Sequence, residues 1–247
     1  TPQIVSQYLY KVFAEKNPKR IFVPFAGNFV VEQIAKKACP NAEVISTDIS
    51  LYSRAIGCGI TGRNIKIELK PEYARLFSEV IKHEDPLGKA AQIIFFTEVA
   101  PNLKKEHIPY YRSLNRNAVQ MQGKYMKDIL LKLEKAKEEI GDIVFDGRDA
   151  KYLIDMAGEG DIIFYDPPVL LGDYENMFEP MEEMFLYDPE PYEEMTEELK
   201  LVQLADMVQK KCIVYWRTNN PITPPNKFIQ VYQYQYKYHG NYCIYSN

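Results

Sequence analysis

The sequence predicts an α/β fold: a doubly wound, mostly parallel sheet with a C-terminal antiparallel hairpin and a largely helical insertion. Three observations predict it. Short apolar strands alternate with amphipathic helices at both ends of the chain, the long central stretch reads as helical by period and charge alternation, and the final stretch reads as two alternating strands about a turn.

In "PQIVSQYLYKVFAEKN", Ile4, Leu9, Val12 and Phe13 recur at helical spacing, and Asn17-Pro18 ends the helix. "RIFVPFAG" then reads as a buried strand breaking into a glycine turn, "NFVVEQIAKKA" as a helix with Val30, Ile34 and Ala38 on one face, and "AEVISTDIS" as a second strand ending in Thr47 and Asp48. Together they make a βαβ unit. "LYSRAIGCGITGRNIKIEL" reads as a short helix and a glycine-broken connection. "PEYARLFSEVIKHED" and "AVQMQGKYMKDILLKLEKAKEEIG" read as helices flanking the apolar "AAQIIFFTEVA", so Glu68 to Gly141 is expected to be largely helical. The strand–helix rhythm returns in "DIVFDGRDAKYLIDMA", "DIIFYDPP", the helix "MTEELKLVQLADMVQKK" and the strand "CIVYWRTNN", and the hairpin is expected to turn at His239-Gly240-Asn241. Residues 1–67 and 141–247 thus form the expected core, and 68–140 the insertion.

With 247 residues, 46% of them hydrophobic and 26% charged, the chain can bury a core, and no apolar run approaches the roughly 20 residues of a membrane span. Cys39, Cys58, Cys212 and Cys243 form no Cys-x-x-Cys, which argues against a metal site. With no signal-like opening, a reduced cytoplasmic setting is expected. A start at Thr1 rather than methionine suggests a piece of a longer protein. The net charge of −4 is unevenly spread. Pro101 to Lys137 holds nine basic and three acidic residues, whereas Asp173 to Glu198 holds eleven acidic residues and no Lys or Arg. The basic segment, with Arg112, Arg116, Tyr110, Tyr111 and Tyr125, suits phosphate contacts, and a solvated helix face accounts for its charges equally well. The acidic segment is read as a solvated loop, with a lid, a protein-partner surface or a self-inhibiting mimic of nucleic acid as alternatives.

Open parallel sheets bind ligands beyond the carboxyl ends of their strands. Pro24, Phe25, Ala26, Gly27 and Asn28 form such a loop, where glycine admits close backbone approach and the following helix start favours anionic groups. Asp48 ends the second strand, where an acid can accept hydrogen bonds from both ribose hydroxyls. Neither G-x-G-x-x-G nor G-x-x-x-x-G-K-[ST] is present, so an adenosyl ligand without a pyrophosphate fits better than a dinucleotide or triphosphate.

Asp166-Pro167-Pro168 ends a strand of the same sheet. A carboxylate and a rigidly held carbonyl can accept both N–H groups of an exocyclic amine and aim the nitrogen lone pair at an electrophilic methyl group. "FVPFAGN", "STDIS" and "IIFYDPP", in this order, resemble the motifs of amino-methyltransferases that use S-adenosyl-L-methionine, most closely those of the Dam-type DNA adenine methyltransferases. The resemblance implies a Rossmann-like methyltransferase core acting on adenine in DNA. It assigns Pro24, Phe25, Ala26, Gly27, Asn28, Asp48 and Ile49 to the cofactor and Asp166, Pro167 and Pro168 to catalysis. Asp149 in "FDGRDAKYL" looks like the family's acid for the cofactor's adenine amino group, ahead of Asp146; a helix cap is the competing reading for Asp149. The insertion occupies the place of a target-recognition region, with Arg112 and Arg116 as DNA contacts.

The family's aromatic after Asp-Pro-Pro is Val169 in this chain. Tyr165 alternates away from Asp166, so Tyr174 is expected to supply the stacking ring. Val169 also keeps open an RNA base or a protein amide as the methylated group, and the acidic Tyr-rich segment a non-catalytic interaction subunit of the same fold.

Overall fold

A computed structural model describes residues 3–168, 173–218, 227–236 and 240–247, with the backbone alone at 173–177, 236, 240 and 241. The elements in chain order are α1 (Gln3–Lys16), β1 (Arg20–Val23), α2 (Val30–Ala38), β2 (Glu43–Thr47), α3 (Leu51–Thr61), β3 (Ile67–Leu69), α4 (Pro71–Ala74), α5 (Pro86–Leu103) and α6 (Pro109–Ile140). They continue with β4 (Val144–Asp146), α7 (Ala150–Met156), β5 (Ile162–Tyr165), α8 (Asp173–Glu182), β6 (Phe185–Tyr187), α9 (Glu197–Gln209), β7 (Ile213–Thr218), β8 (Ile229–Tyr236) and β9 (Gly240–Ser246). The chain divides into two compact units, one of residues 1–49, 139–171 and 190–247, the other of 50–138 and 172–189.

The first unit holds the α/β sheet, whereas residues 50–67 and 172–189, placed with the core in the sequence, group with the second unit. Its seven-stranded sheet has the order β4-β2-β1-β5-β7-β9-β8. β4, β2, β1, β5 and β7 run parallel, β9 runs antiparallel to β7, and β8 pairs antiparallel with β9. Alternation along each strand sorts side chains between two layers. Ile21, Val23, Val44, Ile162 and Phe164 pack with Val5, Leu9 and Phe13 of α1 and Val31, Ile34 and Ala35 of α2. Phe22, Ile45, Ile163, Tyr165, Val214 and Trp216 pack with Leu153 and Ile154 of α7 and Leu204 and Met207 of α9. β2 lies on one side of β1 and β5 on the other, so the winding reverses between β1 and β5, the point where such sheets bind ligands.

The stripe of α1 is Val5, Leu9 and Phe13; Ile4, expected on it, is 51% exposed because one residue turns the helix by about 100°. Gly240 and Asn241, expected in the hairpin turn, are already strand residues opposite Tyr236 and Gln235, while His239 lies outside the described residues.

The second unit is mainly helical. The apolar stretch "AAQIIFFTEVA" lies within α5, which buries Ala90, Ala91, Ile93, Phe95, Phe96, Val99 and Ala100 and packs against both α3 and α8. Apolar residues all round the helix hide the period in sequence. Gly59 of α3 permits the approach to α5, since a Cβ there would stand 2.9 Å from Ala90 Cβ. The helix expected from Pro71 stops after one turn at Ala74, and Phe77 and Val80 are buried in the turns that follow. The acidic segment, expected as a loop, contains α8 and β6, and β6 pairs antiparallel with β3. Part of its charge is balanced within the unit, where Lys104 Nζ lies 2.7 Å from Glu183, and the Arg54 guanidinium further ties the segment down by donating to the main-chain carbonyl of Asp188.

Candidate functional site

At the end of β1 the chain turns through Pro24–Asn28 into α2. Gly27 takes φ +53° and Phe29, fully buried, takes φ +59°, so two left-handed residues in three reverse the chain in a short span. A Cβ placed on Gly27 would meet nothing within 4 Å, so glycine is needed for its dihedral and leaves an open side to the turn. The turn is fastened to the end of β2: Ala26 N–H donates to the Thr47 carbonyl at 3.0 Å and Gly27 N–H to Asp48 Oδ2 at 2.9 Å. The acid read from sequence as a ligand acceptor therefore also holds the loop that faces it. Asp48 and Ile49 are half-buried, Pro24 and Ala26 buried, and Asn28 exposed. The Phe25 ring packs edge-on against Tyr165, with centroids 5.5 Å apart.

β2 is tied in turn to the connection after β4, where the Thr47 hydroxyl donates to the Arg148 carbonyl. The Arg148 guanidinium pairs with Asp146 at 2.5 Å and lies 3.3 Å from the Tyr152 ring centroid, and the hydrogen bond to Asp146 raises the Arg148 pKa. Asp146 is thereby engaged. Asp149 caps α7, its Oδ1 accepting from Lys151 N–H at 2.8 Å, so the cap reading describes the geometry of that oxygen.

Beyond β5, Asp166 is half-buried, Pro167 buried and Pro168 exposed. Tyr165 and Trp216 are register partners in β5 and β7, so the residues after each, Asp166 and Arg217, emerge side by side. Arg217 Nε donates to Asp166 Oδ1 at 2.6 Å, the two side chains being 19% and 15% exposed. Burial raises the Asp166 pKa and Arg217 pulls it back, leaving it above the ordinary carboxylate value. Burial works against the charge of Arg217, and Asp166 with Tyr234 outweighs it. The guanidinium also lies 5.6 Å from the Tyr242 ring, which stacks on Tyr234 at 5.5 Å. Tyr165 points to the opposite layer, its hydroxyl donating to Gln203 at 2.6 Å.

Gly27, Asp48, Asp149 and Asp166 all belong to the first unit, at the carboxyl ends of parallel strands. Arg112 and Arg116 lie exposed on α6 of the second unit. Val169 and the Tyr174 side chain lie outside the described residues. Two residues of the site escaped the sequence reading. One is Arg217, whose only signal was a cation inside an apolar strand. The other is Glu32 of α2, fully buried, whose signal was an acid interrupting an apolar helix face. Among the described residues no helix is long and apolar enough to cross a membrane, and no group of three or more His, Cys, Asp and Glu stands ready to hold a metal ion.

A family model described as Phage DNA Adenine Methylase-like domain 1 matches residues 1–237. No curated protein matches the sequence. Solved structures similar to the chain include the rRNA methyltransferase aviRa from Streptomyces viridochromogenes, with 8% identity, a TM-score of 0.44, and coverage of 100% of this chain and 85% of that one. Another is TrmN from Thermus thermophilus, with 14% identity, a TM-score of 0.41, and coverage of 99% and 48%.

Proposed function

The chain belongs to the phage DNA adenine methylase-like family and is a Rossmann-like methyltransferase with S-adenosylmethionine as methyl donor; from this premise we propose that it methylates the exocyclic amino group of adenine in DNA. The observation that carries this reading is the pair of strand ends at the winding reversal, a glycine turn closed by Asp48 after β1 and a half-buried acid held by Arg217 after β5.

The residues present fit the cofactor. The turn is open above Gly27, Asp48 stands at its edge, and behind it on α2 lie buried carboxylate oxygens with no well-formed hydrogen bond among the described residues. In this reading Pro24–Asn28 approach the cofactor with backbone, Asp48 and Ile49 take its ribose side, and Asp149 takes its adenine amino group. The cofactor supplies a methyl group made electrophilic by the adjoining sulfonium. Asp166 accepts one N–H of the adenine amino group and the Pro167 carbonyl the other, which directs the nitrogen lone pair away from both acceptors. Arg217 engages Oδ1 of Asp166 and favours its ionised, hydrogen-bond-accepting form against the effect of burial. Proline at 167 and 168 restricts the backbone that presents the carbonyl. Tyr174 is assigned to stacking on the base, and Arg112 and Arg116 to the DNA backbone.

The test is transfer of a labelled methyl group from the cofactor to adenine-containing DNA, to RNA and to protein, followed by identification of the modified group. N6-methyladenine in DNA is expected; label confined to RNA or protein sinks the reading.

A further inference from the structure

Glu32 is the third residue of α2, directly after the glycine turn, and its side chain is completely buried. Among the described residues neither carboxylate oxygen has a hydrogen-bond partner of ordinary geometry, and nor does the hydroxyl of Ser46, equally buried on β2. Ser46 pairs in register with Val23, the last residue before the turn, and lies two residues before Asp48. Three polar oxygens behind the turn proposed for the cofactor therefore lack a well-formed hydrogen bond among the described residues. Taking a carboxyl out of water without a well-formed partner is unfavourable, and an apolar residue such as leucine would avoid it.

Among the described residues no cation acts on Glu32. α1 and β1 contribute Val5, Leu9, Ile21 and Val23 to the layer that α2 joins, and Lys36 of α2 donates to the carbonyls of Pro40 and Ala42. The charged group that acts on Glu32 is Asp48, of the same sign. Burial above all, with Asp48 adding, pushes the Glu32 carboxyl up to about 8, against a weaker pull from its own backbone N–H and the Ser46 hydroxyl, which lie close without reaching ordinary hydrogen-bond geometry. The acid is thus mostly protonated at neutral pH until a cation reaches it.

We infer that Glu32, with Ser46, is the acceptor for the ammonium group of the cofactor's amino-acid end. Resting on the cofactor's place at the glycine turn, and independent of the methylated substrate, the inference gives these oxygens a donor and the cofactor's charge a counter-ion. Glu32 and Ser46 would accept the ammonium N–H groups, and Glu32 would give up its carboxyl proton to solvent on binding.

The experiment is calorimetric titration of the full chain at pH 7, in two buffers of different ionisation enthalpy, with S-adenosylhomocysteine and with 5′-methylthioadenosine. The first ligand carries the ammonium group and no sulfonium; the second lacks the amino-acid end. Wild-type protein is expected to release close to one proton on binding the first and none on binding the second. Equal release with both ligands, or none with either, overturns the inference without any variant. Glu32→Gln is expected to weaken S-adenosylhomocysteine by about ten- to a hundredfold, abolish the release, leave 5′-methylthioadenosine unaffected, and keep or raise the ligand-free melting temperature. A fall in that temperature with both ligands weakened alike marks a structural acid and overturns the inference. Failure of the underlying cofactor placement has another signature: Asp48→Ala leaves both ligands' affinities unchanged.

Discussion

The two acids that frame the site are held in opposite ways. Asp48 is fastened by a backbone amide of the turn it faces, within one βαβ unit and 21 residues apart in sequence. Asp166 is fastened by a side chain, Arg217, that lies 51 residues away on the neighbouring strand. A backbone donor is always available to hold a loop acid, so that region needs only a glycine able to turn. A charged partner inside a sheet requires two strands to be paired in one register. The first arrangement suits a binding surface; the second suits an acid that must stay ionised where burial opposes it.

The contrast breaks most sharply at Asp166. Asp166→Ala is expected to reduce methyl transfer by roughly a thousandfold while cofactor affinity, measured by calorimetry, stays within a few fold. Retained activity removes Asp166 from catalysis. Arg217→Ala should come next, lowering kcat by roughly a hundredfold and destabilising the fold by about 3–5 kcal/mol in denaturant titration, because it leaves a buried acid unpaired. It also removes the group that lowers the Asp166 pKa. Activity needs the ionised acid and falls as pH drops through its folded-state pKa, so the acidic limb of the pH profile should move to higher pH, with Arg217→Lys partly restoring it.

At the other acid the effects should be on binding. Asp48→Ala is expected to weaken the cofactor by roughly tenfold or more, with a smaller loss of stability from the freed Gly27 amide. Gly27→Ala should cost about 1–2 kcal/mol through its positive φ alone, since the added methyl meets no neighbour. The smallest change is expected at Arg112→Ala and Arg116→Ala, each weakening DNA binding and lowering its salt slope by about one. An unchanged slope removes α6 from the DNA contact.

The legible parts of the chain are those whose signal is local. The amphipathic stripe of α1, the break at Gly27, the acid at the end of β2 and the Asp-Pro-Pro after β5 each show within a window of a few residues. At the start of that stripe Ile4 and Val5 are both apolar in sequence, and only packing decides that Val5 faces inward. β6 was missed because three residues in an acidic run carry too little alternation, and it exists by pairing with β3 over a hundred residues earlier. α5 has no readable period because α3 and α8 both bury it.

By itself the sequence determined the order of strands and helices, the turn that only glycine enters easily, and the acids that end two parallel strands, since periodicity and turn chemistry are properties of neighbouring residues. Tertiary structure alone decided that Arg217 meets Asp166 and that Glu32 and Ser46 lie buried together behind the glycine turn, with no well-formed hydrogen bond among the described residues. Such facts depend on which strands become neighbours and on what each helix covers, and no stretch of sequence contains both partners.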